Sequence, residues 1–156
     1  MATKTGFALK QLCIEITESV FIRDLHFITQ QLNRLREQGI KIAIDDFGTG
    51  YSSLSYLNTL PVDSLKIDRA FTMQVEQSEG HYPLVSSIIT LAHSVGKRIV
   101  VEGVETQAQA NYYGAAGCQY LQGFGYAKPM PLDDLRALLQ RGSILNINGA
   151  EDGVNQ

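Results

Sequence analysis

Five short apolar runs alternate along this chain with longer stretches in which apolar positions recur every three or four residues. The runs cover Leu12 to Thr17, Ile40 to Asp45, Ser64 to Asp68, Arg98 to Glu102 and Gln119 to Gln122, and their β-branched content predicts strands. Between the first two, Leu25, Ile28, Leu32 and Leu35 mark one helical face, and Gly39 supplies its stop. Leu84, Ile88, Leu91 and Val95 mark another between the third and fourth runs, closed by Gly96. Hydroxyl caps predict shorter helices after Ser52 or Ser53 and after Thr106, and Pro131 opens a last helix that runs through Leu139. From Gly142 onward the sequence is polar and aperiodic and reads as a frayed tail.

Strand and helix in alternation predict a parallel sheet with helical crossovers. The polar residues narrow this further. Glu15, Asp45, Lys66, Glu102 and Gln122 each lie at or near the end of a run, at an average spacing close to the ~31 residues expected per βα unit of a TIM-type barrel. Functional side chains converging from successive strand ends fit such a barrel, whereas a doubly wound sheet would gather them at its switch point. A chain of 156 residues holds about five such units rather than eight. The expected layout is a lead-in over 1–11, an incomplete TIM-type (β/α) barrel over 12–141 and a flexible tail over 142–156.

Composition changes this picture little: 44% hydrophobic and 19% charged residues can bury a core. No apolar run reaches membrane-spanning length, and Met1 to Gly6 lack the apolar core of a signal peptide, so the expected compartment is the cytoplasm. Cys13 and Cys118 then read as buried thiols rather than a disulfide. A net charge of −3 without a lysine or arginine cluster argues against a long nucleic-acid partner but leaves a small phosphate ligand open. His26, His81 and His93 have no carboxylate or cysteine at ligand spacing and read as structural or surface residues.

The chemistry gathers at the strand ends. Adjacent strand residues point to opposite faces, so Asp45 and Asp46 can work together only where the strand ends and the backbone turns. Taken alone, the pair fits a solvated turn or a site for a hard divalent cation. Glu15 lies among Ile and Cys residues expected to be buried, and a buried carboxylate must be paired or metal-bound. Lys66, between Leu65 and Ile67, needs an anionic partner for the same reason. Glu102 ends the run Ile99-Val100-Val101, while Glu105 and Thr106 suit the next helix as first-turn acid and cap. Gly48 and Gly50 free the loop backbone, but no third glycine completes a dinucleotide fingerprint.

Five segments taken together resemble the EAL-domain family of cyclic di-GMP phosphodiesterases. They are Ile14-Glu15-Ile16-Thr17-Glu18-Ser19, the stretch from Asp45 through Ser53, Leu65-Lys66-Ile67-Asp68, Val101-Glu102-Gly103-Val104-Glu105-Thr106 and Gln122 through Pro129. The resemblance covers residue 12 to about 140, and its five ordered motifs are specific where one alone would not be. It implies Glu15, Asp45 and Asp46 as metal ligands, with Mg²⁺ or Mn²⁺, two ions per complete site, as cofactors. It implies catalytic roles for Lys66, Glu102 and Gln122, with Lys66 contacting the attacking water as base or electrostatic positioner. Glu18 would anchor the loop after the aspartate pair, Glu105 would contact guanine, and Pro129 would lie beside the ligand groove. The implied reaction opens cyclic di-GMP to linear pGpG by metal-assisted hydrolysis.

The family pattern also includes an earlier Glu-x-Leu strand and an asparagine ligand, and nothing before Leu12 can supply either. The chain is therefore expected to be the carboxyl-terminal part of such a barrel, with its own hydrolysis impaired. Two other roles remain open: a non-catalytic module binding cyclic di-GMP or a protein, and a structural fragment. Strand groups left unpaired near Leu12 to Thr17 and Gln119 to Gln122 would seek a second copy or an upstream domain.

Overall fold

The computed structural model describes residues 6–22, 24–48, 57–77 and 82–140. Strands β1 (Cys13–Thr17), β2 (Lys41–Phe47), β3 (Ser64–Ile67), β4 (Arg98–Val101) and β5 (Tyr120–Leu121) form one parallel sheet in that order. Neighbours in space are neighbours in sequence, which is barrel order and not the reversed order of a doubly wound sheet. Among the described residues the sheet is not closed, and β1 and β5 are its edges.

Helix α1 (Leu25–Glu37) joins β1 to β2, with Asp24 accepting the Phe27 amide at 2.9 Å as its cap. Helices α2 (Arg69–Thr72), α3 (Gln74–Gln77) and α4 (Pro83–Ser94) lie between β3 and β4, α5 (Gln107–Ala115) joins β4 to β5, and α6 (Leu132–Gln140) follows β5. Short 3₁₀ turns cover Leu9–Gln11 and Glu18–Ile22. The sequence pattern does not announce α2 and α3, which are too short to show a period; Asp68 starts α2 by accepting the Ala70 amide at 2.8 Å. The helix expected after Ser52 or Ser53, His81, and the tail expected from residue 142 lie outside the described residues.

Alternation along the strands assigns two faces. Ile42, Ile44, Leu65, Ile67, Ile99 and Val101 turn to the helices and are at most 1% exposed. They join one core with Leu32 of α1, Ile88 and Ala92 of α4, and Tyr113 of α5. Each such side chain contributes about 1.5–3 kcal/mol at most by leaving water. The register puts Glu15, Ala43, Ser64 and Arg98 in one row of the opposite face, with Lys66, Val100 and Tyr120 in the next. That second face is the polar one.

Three local expectations change. Cys13 is exposed because β1 is an edge strand with no buried residue, and Cys118 is half-buried. Glu15 is exposed for the same reason, its side chain 48% accessible. Leu84 points outward, and α4 buries Val85, Ile88, Ile89 and Ala92, a face rotated from the one its 84–88–91–95 spacing indicates. Among the described residues no helix is long and apolar enough to cross a membrane.

Candidate active site

The aspartate pair does not end its strand; β2 continues through both residues to the buried Phe47. Ile44 pairs with Leu65 and Phe47 with Ile67, so β2 spends one residue more than β3 over the same distance. This is a β-bulge. Asp46 takes up the extra residue in the left-handed region, at φ 53°, which aspartate tolerates better than most residues. The alternation that would send successive side chains to opposite faces is thereby broken. Carboxylate oxygens of Asp45, Asp46 and Glu102 come within 4.8 Å of one another.

Lys66 sits beneath them, its side chain 7% exposed, with Nζ 2.7 Å from Glu15 Oε2, 2.8 Å from Glu102 Oε1 and 2.9 Å from Asp45 Oδ1. Burial works against its charge, but the contacts to Glu102, Glu15 and Asp45 outweigh it and hold the ammonium well above lysine's ordinary pKa. The buried Oδ1 of Asp45 has the Lys66 ammonium as its contact. Three grouped carboxylates fit a hard divalent cation, which takes oxygen donors.

Glu18, in the turn after β1, accepts the Gly48 amide at 2.8 Å and so ties that turn to the residue leaving β2. Thr49 through Ser53 of the same motif lie outside the described residues. Beside the acidic cluster is a cavity of about 250 Å³ lined by Arg69, Glu102, Gly103, Glu105, Gln122, Gly123 and Phe124. Gln122 is fixed through its backbone: its amide donates to Val101 O at 2.8 Å, and its carbonyl accepts from the Val104 amide at 3.0 Å. A Cβ at Gly123 would lie 2.1 Å from the Val104 carbonyl oxygen, so only glycine permits this approach. Pro129 lines a neighbouring cavity of about 330 Å³ with Gln122, Phe124 and Lys128.

The α5 terminus is tightly built. Thr106 caps it, and Gln109 Oε1 accepts the amides of Glu105 at 2.7 Å and Thr106 at 3.1 Å in a capping box. Glu105 therefore precedes the first turn instead of lying in it, and its side chain pairs with Arg69 at 2.7 Å. His26 is hydrogen-bonded within α1 to Gln30, and His93 contacts the Gly117 carbonyl. The structure thus brings Asp45, Asp46, Glu102, Lys66 and Glu15 together. Glu15 meets the group through Lys66 and not through the carboxylate trio. Arg69 and the 57% exposed Phe124 line the cavity without having been singled out in the sequence. An arginine directly after a capping aspartate and an aromatic between two glycines were the available signals.

The EAL domain family profile matches residues 1–129, and the chain belongs to that family. Among curated relatives it is 39% identical over 137 residues to the cyclic di-GMP phosphodiesterase NbdA of Pseudomonas aeruginosa, covering 88% of this chain and 18% of that protein. It is 44% identical over 126 residues to the bifunctional diguanylate cyclase/cyclic di-GMP phosphodiesterase MucR of the same organism, covering 81% and 18%. The MucR phosphodiesterase has been solved in complex with cyclic di-GMP, at TM-score 0.80 and 41% identity over 86% of this chain and 54% of that one. The EAL domain of DcpA from Mycobacterium smegmatis gives TM-score 0.84 and 41% identity, covering 92% and 65%. BlrP1 of Klebsiella pneumoniae, solved with cyclic di-GMP and manganese or calcium, gives TM-score 0.72 and 33% identity, covering 81% and 32%. The chain spans about a fifth of the length of the curated relatives it matches.

Proposed function

We propose that this chain carries the carboxyl-terminal part of a metal-dependent phosphodiesterase that opens cyclic di-GMP to linear pGpG in the cytoplasm. The observation that carries the reading is the bulge-built group of Asp45, Asp46 and Glu102 beside a cavity, in a chain of this family. These carboxylates would hold Mg²⁺ or Mn²⁺, with Glu15 joining them if Lys66 yields it. Divalent-cation chemistry there would supply water activation and charge neutralisation at the phosphodiester. Lys66, held protonated by its acidic neighbours, would contact the attacking water as an electrostatic positioner rather than as its base. Gln122 reaches the same space, Glu18 steadies the loop after the aspartates, and Glu105 with Pro129 border the substrate groove.

The reading also holds that the Glu-x-Leu glutamate and the asparagine ligand come from strands beyond these five. As edges of the described sheet, β1 and β5 would pair with such strands, or with a second copy of the chain. Hydrolysis of cyclic di-GMP to pGpG with Mg²⁺ or Mn²⁺ is expected to be weak in this chain and to rise when the missing segment is supplied. No turnover above an Asp45→Ala control, even with that segment, overturns the reading. A non-catalytic binding role is favoured by one detail, the engagement of Glu15 by Lys66 instead of the carboxylate trio. Calorimetric binding without any product would mark that outcome.

A further inference from the structure

We infer that Arg69 is a positioning residue that acts through Glu105 to set recognition of a guanine base, an inference that rests on the cyclic di-GMP reading above. Arg69 opens α2 at the end of β3, and Glu105 precedes the cap of α5 after β4. Arg69 Nη2 donates to Glu105 Oε1 at 2.7 Å. The aliphatic stem of the arginine crosses Gly103, where an added Cβ would lie 2.2 Å from Arg69 Cγ and 2.7 Å from its Cβ. Gly103 also stands at φ 68°, so the groove for this arginine depends on glycine twice over.

Fold stability does not account for the arrangement. Arg69 and Glu105 are 55% and 40% exposed, and ion pairs that open to water contribute little. Geometry accounts for it better. The Glu105 main chain is held by Gln109, which is 2% exposed, and its carboxylate is held from the other side by Arg69, so both the root and the tip of the side chain have defined positions. A carboxylate fixed at a cavity wall meets two donors on a guanine edge, N1–H and the N2 amino group. Adenine presents an acceptor at N1 and would be refused. Arginine occupies Oε1 of this carboxylate and leaves Oε2 for the base.

The test is equilibrium binding of cyclic di-GMP and of cyclic di-AMP by calorimetry in calcium, the ion with which a BlrP1 complex was solved. Wild type, Arg69→Ala, Glu105→Gln and the double variant are compared, with thermal melting as the check on folding. Each single change is expected to weaken cyclic di-GMP binding roughly tenfold and to erode the preference over cyclic di-AMP. The double variant is expected to lose no more than either single one, because the two residues act as one unit. Additive losses, or a Glu105→Gln effect without an Arg69→Ala effect, overturn the inference. A wild-type chain that binds neither nucleotide overturns the cyclic di-GMP reading and this inference with it, a result visible before any variant is made.

Discussion

Glu102 and Glu15 reach the same ammonium at nearly the same distance, yet one belongs to the centre of the sheet and the other to its edge. Glu102 follows β4, whose Ile99 and Val101 are fully buried, and its side chain is 21% exposed. Glu15 lies on β1, where no residue is buried, and is 48% exposed. Strands with two neighbours hold their side chains by packing on both sides, so β2, β3 and β4 place Asp45, Asp46, Lys66 and Glu102 firmly. Strands with one neighbour place theirs only as well as the uncovered flank allows. The carboxylate trio is accordingly drawn from β2 and the end of β4, while Glu15 of β1 reaches Lys66 from the exposed edge.

The sharpest way to break this contrast is Lys66→Met, which leaves three carboxylates without their cation. It is expected to cost about 3–5 kcal/mol in urea unfolding, whereas Glu15→Gln, at the exposed edge, is expected to cost about 1 kcal/mol or less. Equal losses would erase the distinction between centre and edge. Next in size is packing. Leu65→Ala in β3 is expected to cost about 2–5 kcal/mol and Ile14→Ala in β1 clearly less, a gap that chemical denaturation measures directly.

A smaller effect belongs to Glu18→Gln, which weakens a charged acceptor for the Gly48 amide. About 1 kcal/mol is expected, together with faster hydrogen exchange at that amide and little change in the β3 amides. The smallest effect is a null one. Because Lys66 is raised above the ordinary lysine value of 10.5, its stabilising charge is fully present below that pH and is lost only as pH rises through the higher folded value. Stability of wild type relative to Lys66→Met should therefore stay level from about pH 6 to 9 where lysine keeps its proton. A decline within that range would mean that the carboxylates do not hold the proton as described.

Much of the molecule is legible in its residues. The five strands, the α1, α4, α5 and α6 segments and the parallel order follow from periodicity, caps and glycine stops, because those signals are local. The convergence of Glu15, Asp45, Lys66 and Glu102 follows from their places in or just after neighbouring strands. What escapes the sequence is whatever depends on a neighbour. Exposure of Glu15 and Cys13 reflects an uncovered edge, the rotation of the α4 face reflects what packs below it, and the Arg69–Glu105 pair joins residues on separate connections. The bulge at Asp46 escapes as well, since an extra residue within a strand leaves no periodic trace when only one turn of alternation is disturbed.

Lys66 has a bearing on the order of events in the life of the chain. Carboxylates brought together in a site repel one another, and many proteins cannot assemble such a group before its ion arrives. Here an internal ammonium already offsets Glu15, Asp45 and Glu102, so the strands that carry them can come together on the chain's own charges. On the metal-binding reading proposed above, folding would thereby be uncoupled from metal supply. An ion arriving at this site would meet acids already in position and would have to compete with the Lys66 ammonium for them.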